Sequence, residues 1–138
     1  MSSIVQTQTT SFKKELYQGI HDLTTDILKI ALYTANADLN EATTVYTTIN
    51  EVSGGGYTAG GIVLTGTTIN SDGYTAYVNF NNAAFNASVT ARCALIYNAS
   101  QGNKSIAVLD FGSDKTSASF LITMPSNTAT TALIRSSN

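Results

Sequence analysis

The chain has no tryptophan, one proline, one cysteine (Cys93) and one histidine (His21) in 138 residues. Each shortage excludes something. A single cysteine forms no internal disulfide, so the fold must be held by its core. A metal centre needs several His, Cys or clustered carboxylates, and one His, one Cys and nine scattered acids do not supply it. A catalytic nucleophile needs a neighbouring base; His21 and Cys93 lie far apart, and neither stands in a nucleophile motif. The sequence therefore predicts no catalytic residue, no cofactor and no metal, with His21 as a turn residue or helix-end cation. Charge is also scarce: 12% of residues with a net charge of −2, about half the usual charged share. There is no basic patch for nucleic acid. No run approaches the ~20 apolar residues of a membrane span, and residues 1–10 lack the apolar centre of a signal peptide. The expectation is a protein made in the cytoplasm that stays soluble or joins an assembly, with neither nucleic acid nor membrane as partner.

What fills the space is Thr, Ser and Asn around a 43% hydrophobic content, enough to build a core. The organising stretch is residues 87–111: two apolar runs joined by a short polar connector containing Gly102, the pattern of a β-hairpin. Val89, Ala91, Cys93, Leu95 and Tyr97 alternate onto one face, while Ala94 and Ile96 make the other face apolar too. Ile106 and Val108 likewise alternate with Ala107, Leu109 and Phe111. Strands apolar on both faces belong at the centre of a sheet or between layers. Cys93 reads as a small buried apolar residue. Asp110, an acid within an apolar strand, either pairs with Arg92 across the hairpin or points outward at the strand end.

Around this hairpin, residues 1–10 read as a polar N-terminal arm. Residues 11–20 read as a short helix with Ser11 as N-cap and Phe12, Leu16 and Ile20 in one stripe. Strands are expected over residues 26–35, 62–69, 74–80, 118–124 and 130–135, with an extended segment over 43–48 and a turn over 114–116. Asp72-Gly73 marks a hairpin tip. Residues 50–61 hold five glycines in eight positions, which excludes a regular element; the loop also lacks the Gly-Lys-Ser/Thr ending of a phosphate cradle. The prediction is mainly β: an antiparallel β-sandwich, jelly-roll-like, of about seven strands with one short N-terminal helix, forming a single domain over 11–138. The arm and the Gly-rich loop are the irregular segments, and neither carries enough apolar surface to order itself. Ile4, Val5, Gly54, Gly55, Gly56, Tyr57, Gly60 and Gly61 are therefore the candidate partner contacts. The alternative is that the arm packs on its own domain and the loop only joins strands. If the arm is separate, deleting residues 1–10 leaves the fold intact. A surface so poor in charge also predicts self-association, as a dimer or trimer.

Three segments, residues 12–33, 50–61 and 91–112, include LYQGIHDLTTDILKIALY, NEVSGGGYTAGG and ARCALIYNASQGNKSIAVLDFG. Together they resemble a family of small β-rich proteins encoded in the structural modules of tailed bacteriophages, over nearly the whole chain. The resemblance carries over no catalytic or cofactor residue. It implies a place on the virion: capsid cement or decoration on the major capsid protein, or else a head-to-tail connector, neck or tail subunit. A reading from another class is a carbohydrate-binding module of a receptor-binding fibre, with Tyr57, Tyr74 or Tyr77 stacking on sugars.

Overall fold

Residues 87–111 form the central hairpin, as their double-sided apolar pattern predicts. In the computed structural model, which describes residues 3–137, strands β7 (Val89–Asn98) and β8 (Lys104–Ser117) pair antiparallel. The connector is a short 3-10 turn, Ala99–Gln101, capped by the Asn98 side chain accepting from the Ser100 N–H. It ends on Gly102 at φ 65°, a left-handed geometry that glycine adopts without a Cβ clash.

The hairpin is longer than residues 87–111 and its register shifts twice: between Ile96 and Tyr97, where Ile106 is left unpaired, and, more widely, between Ala91 and Cys93. Ala91 opposes Lys115, but Cys93 opposes Asp110, so Arg92 alone faces residues 111–114. The wider irregularity, at Arg92, reverses the faces of β7. Before it, Val89 and Ala91 point into the larger core; after it, Ala94 and Ile96 do so, while Cys93, Leu95 and Tyr97 turn to a second, smaller core. Strict alternation put Val89 through Tyr97 on one face, and it fails because it cannot register an unpaired residue. Arg92 pairs with Asp110 at 3.0 Å, with both side chains partly exposed, so the cross-hairpin alternative holds but the pair is not buried. The Gly112 N–H, foremost, and the Arg92 guanidinium hold the Asp110 carboxyl below the usual carboxylate range, against the cost of its partial burial. Residues 114–116, expected to turn, lie within β8.

Strand β2 (Leu28–Tyr33) pairs with β7, β3 (Ile62–Val63) with β2, and β1 (Thr7–Gln8) with β8, giving a five-stranded sheet in the order β1-β8-β7-β2-β3. Facing it are a three-stranded sheet of β4 (Thr68–Asp72), β5 (Thr75–Asn79) and β10 (Ile134–Ser136), ordered β10-β5-β4, and a pair of β6 (Ala83–Ala84) with β9 (Leu121–Ile122). Every strand pair is antiparallel. The protein is thus mainly β and sandwich-like, with one helix, α1 (Thr10–Tyr17). Among the described residues ten strands replace the expected seven or so. The run 62–69 divides between two sheets, 118–124 shortens to β9, β6 lies where no strand was expected, and β1 lies in the segment read as arm.

The larger core joins Ile30, Ile96 and Ile106 of the big sheet to Phe12, Phe80 and Ile134 of the opposing layer and helix. The smaller core is Tyr33, Leu39, Leu95, Tyr97 and Val108, on the other face of the same sheet. It is covered by the segment after β2, where Tyr46 stacks on Tyr97 at 4.7 Å. That segment is not a strand over 43–48; it is tied to the start of β8 by the Val45–Lys104 bridge, by the Tyr46 N–H to Asn103 carbonyl and Ser105 N–H to Thr44 carbonyl bonds, and by the Ser105 hydroxyl to the Thr43 carbonyl. Leu95 and Val108 are 0% and 1% exposed. Either Leu95→Ala or Val108→Ala is expected to cost about 2–4 kcal/mol through the cavity left behind, read by urea denaturation; unchanged midpoints would show that this hairpin is not the core.

Candidate partner-contact surface

The Gly-rich loop is built around an acid. Glu51 is the only charged residue between Glu41 and Asp72. Its carboxylate accepts from the Tyr46 hydroxyl at 2.6 Å, the Tyr57 hydroxyl at 2.5 Å and the Gly60 N–H at 2.8 Å. The Tyr57 hydroxyl in turn accepts from the Leu32 N–H at 3.0 Å, and the Tyr97 hydroxyl donates to the Gly60 carbonyl at 2.6 Å. The loop is therefore laced to β2 and β7 from both ends. Burial, foremost, together with the Glu51 charge raises the phenol pKa values of Tyr46 and Tyr57 above the ordinary range, and pushes that of Tyr97 up to about 12. All three stay protonated and able to donate at any physiological pH.

Two loop glycines are required by close approach. A Cβ on Gly61 (φ 81°) would lie 1.8 Å from the Ile30 carbonyl oxygen, and one on Gly55 (φ 64°) would lie 1.9 Å from that of Ser88. The glycines do let backbone approach backbone, as the sequence suggests, but the backbone approached is the protein's own. Gly54 shares the positive φ and meets nothing within 4 Å. Gly61→Ala is thus expected to cost at least ~3 kcal/mol, and Gly54→Ala only about 1 kcal/mol. Equal thermal shifts for the two variants would contradict this packing.

The segment read as an arm is likewise bonded into the domain. Ile4 bridges Leu39 and packs on the smaller core, and the Val5 N–H donates to the Leu39 carbonyl at 3.0 Å. Thr7 and Gln8 pair with Val108 and Ala107. Thr9, not Ser11, caps α1: it is fully buried, accepts from the Phe12 N–H, and receives the Ser105 hydroxyl at 2.9 Å. Sequence propensity favours both residues as caps, and only the tertiary contact of Thr9 with β8 separates them. The expectation of a self-contained domain over 11–138 is corrected accordingly. Of the eight candidates, Val5, Gly54, Gly55 and Gly56 are exposed, Ile4, Tyr57 and Gly61 are half-buried, and Gly60 is buried. The structure brings Tyr57, Gly60 and Gly61 together; it does not make them a free surface.

The chemistry-bearing residues have structural partners. His21 is buried beside Phe12, with Nε2 at 2.8 Å from Glu15 and Nδ1 at 3.0 Å from the Asn98 amide. This is a cross-link between the residues following α1 and the end of β7. Among the described residues, no group of three or more His, Cys, Asp or Glu side chains is placed to hold a metal ion, and no helix is long and apolar enough to cross a membrane. Burial pushes the Cys93 thiol up to about 12, so the thiolate needed for alkylation is scarce. Iodoacetamide at pH 8 is expected to leave the folded protein unlabelled and to label it fully in guanidinium; rapid labelling without denaturant would contradict the burial.

No family model, curated protein or solved structure matches the chain.

Sequence reasoning passed over Glu51. The signal was available: one acid in a long uncharged stretch, with tyrosines on either side and a glycine run after it. Tyr57 and Tyr77, offered as sugar-stacking residues, are half-buried, whereas Tyr74 at the β4–β5 tip is 91% exposed.

Proposed function

We propose that this chain is a non-enzymatic structural protein of tailed bacteriophage particles, acting as a capsid cement or decoration protein that braces the major capsid protein. The observation supporting this reading is where the three phage-like segments lie in the fold. Residues 12–33 supply most of α1 and all of β2, 91–112 supply most of β7 and of β8, and 50–61 supply the loop that joins those strands through Glu51, Tyr57 and Gly60. The resemblance therefore concerns one connected body, the central sheet with its laced loop, not scattered surface strings. A sheet with a charge-poor surface rich in Thr and Asn suits permanent contact by shape and hydrogen bonds, with little dependence on salt.

The exposed Tyr74 keeps the carbohydrate-binding alternative specific, since it is the one tyrosine of the three free to stack on a sugar. A connector, neck or tail subunit is the other structural reading. Copy number separates them. Quantified against the major capsid protein in purified particles, a cement protein is present in comparable copies, and a connector only in the number that closes one ring. Absence from particles would overturn both, and glycan binding abolished by Tyr74→Ala would then favour the third.

A further inference from the structure

The edges of the sheets are treated unequally. Strands β1, β3, β6 and β9 are each two residues long, too short to template another chain. Strand β10 has three residues, and the Gln8 side chain donates to the Arg135 carbonyl. Short edges and covered carbonyls are how sheet proteins blunt their borders. Strand β4 has neither device. It is five residues long, exposed at every position, and outermost in its sheet. No Lys, Arg or Pro occurs between Val52 and Ala91, so the usual edge guards are missing on both sides of it.

The hairpin register shows which backbone groups are free. Asp72 pairs with Thr75 across a two-residue turn, Gly73-Tyr74, with Gly73 at φ 60°. A two-residue turn closes on a hydrogen-bonded pair, and such pairs alternate along an antiparallel ladder. Residues 72, 70 and 68 therefore bond to β5, while the N–H and C=O of Ile69 and Ser71 point away from it. None of the loop and turn hydrogen bonds among the described residues reaches these four groups.

We infer that β4 is the contact through which a second copy of this chain docks, strand to strand and antiparallel about a two-fold axis at Asn70, joining two three-stranded sheets into one of six. The occupant follows from self-complementarity. Centred on Asn70, the pairing sets Ile69 against the second copy's Ser71, and Thr68 against the second copy's Asp72. The free backbone groups of one copy then meet those of the other, as an isologous contact requires. Asp72 is the only charge in the strand, and this register places it opposite a threonine, so no like charges face each other. The half-exposed Ile69 of each copy becomes continuous across the joint. The inference rests on the reading of the chain as a self-associating particle component, but it concerns the purified protein and stands or falls separately from location on the virion.

The register also specifies a test. Asn70 would face the second copy's Asn70 as a non-hydrogen-bonded pair with Cα atoms about 4.5 Å apart, within the span a disulfide bridges. Asn70→Cys under mild oxidation is expected to give a disulfide-linked dimer, with the buried Cys93 taking no part. Ser71→Pro removes only an outward-facing N–H. It is expected to weaken self-association about tenfold or more by sedimentation equilibrium, with the melting temperature of the monomer unchanged, and to abolish cross-linking when combined with Asn70→Cys. Ile69→Lys, which puts a charge on the same edge, gives a second route to the monomer should the proline variant fail to fold. Only monomer at high concentration, no cross-link, or a cross-link that survives both edge variants would overturn the inference. A cross-linking dimer that is absent from purified particles would overturn the virion reading and leave this one standing.

Discussion

Glu51→Ala is expected to lower stability by about 3–5 kcal/mol, a large part of what a domain has. Three donors lose their acceptor at once: the hydroxyls of Tyr46 and Tyr57 and the N–H of Gly60. Hydrogen bonds to a charged group contribute roughly 1.5–3 kcal/mol each, and bonds sharing one acceptor do not add fully. The damage spreads because Tyr57 also satisfies the Leu32 N–H, and Gly60 accepts from Tyr97. Glu51→Gln keeps an acceptor oxygen without the charge, so it should fall between wild type and alanine. Urea denaturation with near-ultraviolet circular dichroism reads both stability and the order of the tyrosines. A loss below ~1 kcal/mol for the alanine variant would mean that glycine packing alone holds the loop.

Removing residues 1–9 is expected to lower the melting temperature by about 10 °C or more, or to prevent cooperative folding, contrary to what an arm implies. A loss of at least ~3 kcal/mol is expected, and this corresponds to such a shift in a domain of this size. The truncation strips β1 from β8, leaves the carbonyls of Leu39 and Ile106 without their donors, and uncaps α1. The cap alone accounts for about 1 kcal/mol. The Ser105 hydroxyl would also lose the buried Thr9 oxygen, though it keeps its bond to the Thr43 carbonyl. Scanning calorimetry of the truncated chain decides the matter. A melting curve like that of the full chain would restore residues 1–9 to the status of a free segment.

These two cases show what was legible in the sequence. The central hairpin and β2 were readable because both faces of each strand are apolar, a pattern that few other elements produce. The mainly antiparallel class, the helix near residue 12 and the turn at Gly73 were readable for similar local reasons. The arm was not. Its polar composition describes its side chains, whereas what fixes it is backbone pairing with β8, about a hundred residues away in the chain. The Gly-rich loop misled in the same way: five glycines signal unusual backbone geometry, but not whose backbone lies alongside. Where the reading of β7 failed, at Arg92, a single unpaired residue shifted the phase of everything beyond it, and no alternation count contains that information.

The excursion of β8 opposite Arg92 has a consequence for how this chain can be lengthened. Residues 111–114 leave the ladder between two firmly paired stretches, with Cys93–Asp110 on one side and Ala91–Lys115 on the other. The departure is spanned by the Gly112 N–H bonding to Asp110 and by Phe111 leaning on Phe120. Because pairing on each flank is fixed independently, extra residues between Gly112 and Asp114 need not slide either strand or turn a core side chain outward. Gly112 and Ser113 are exposed, and a Cβ on Gly112 would meet nothing within 4 Å. That tip is a natural point for grafting a foreign peptide, carried outward from the middle of the sheet while both cores stay closed.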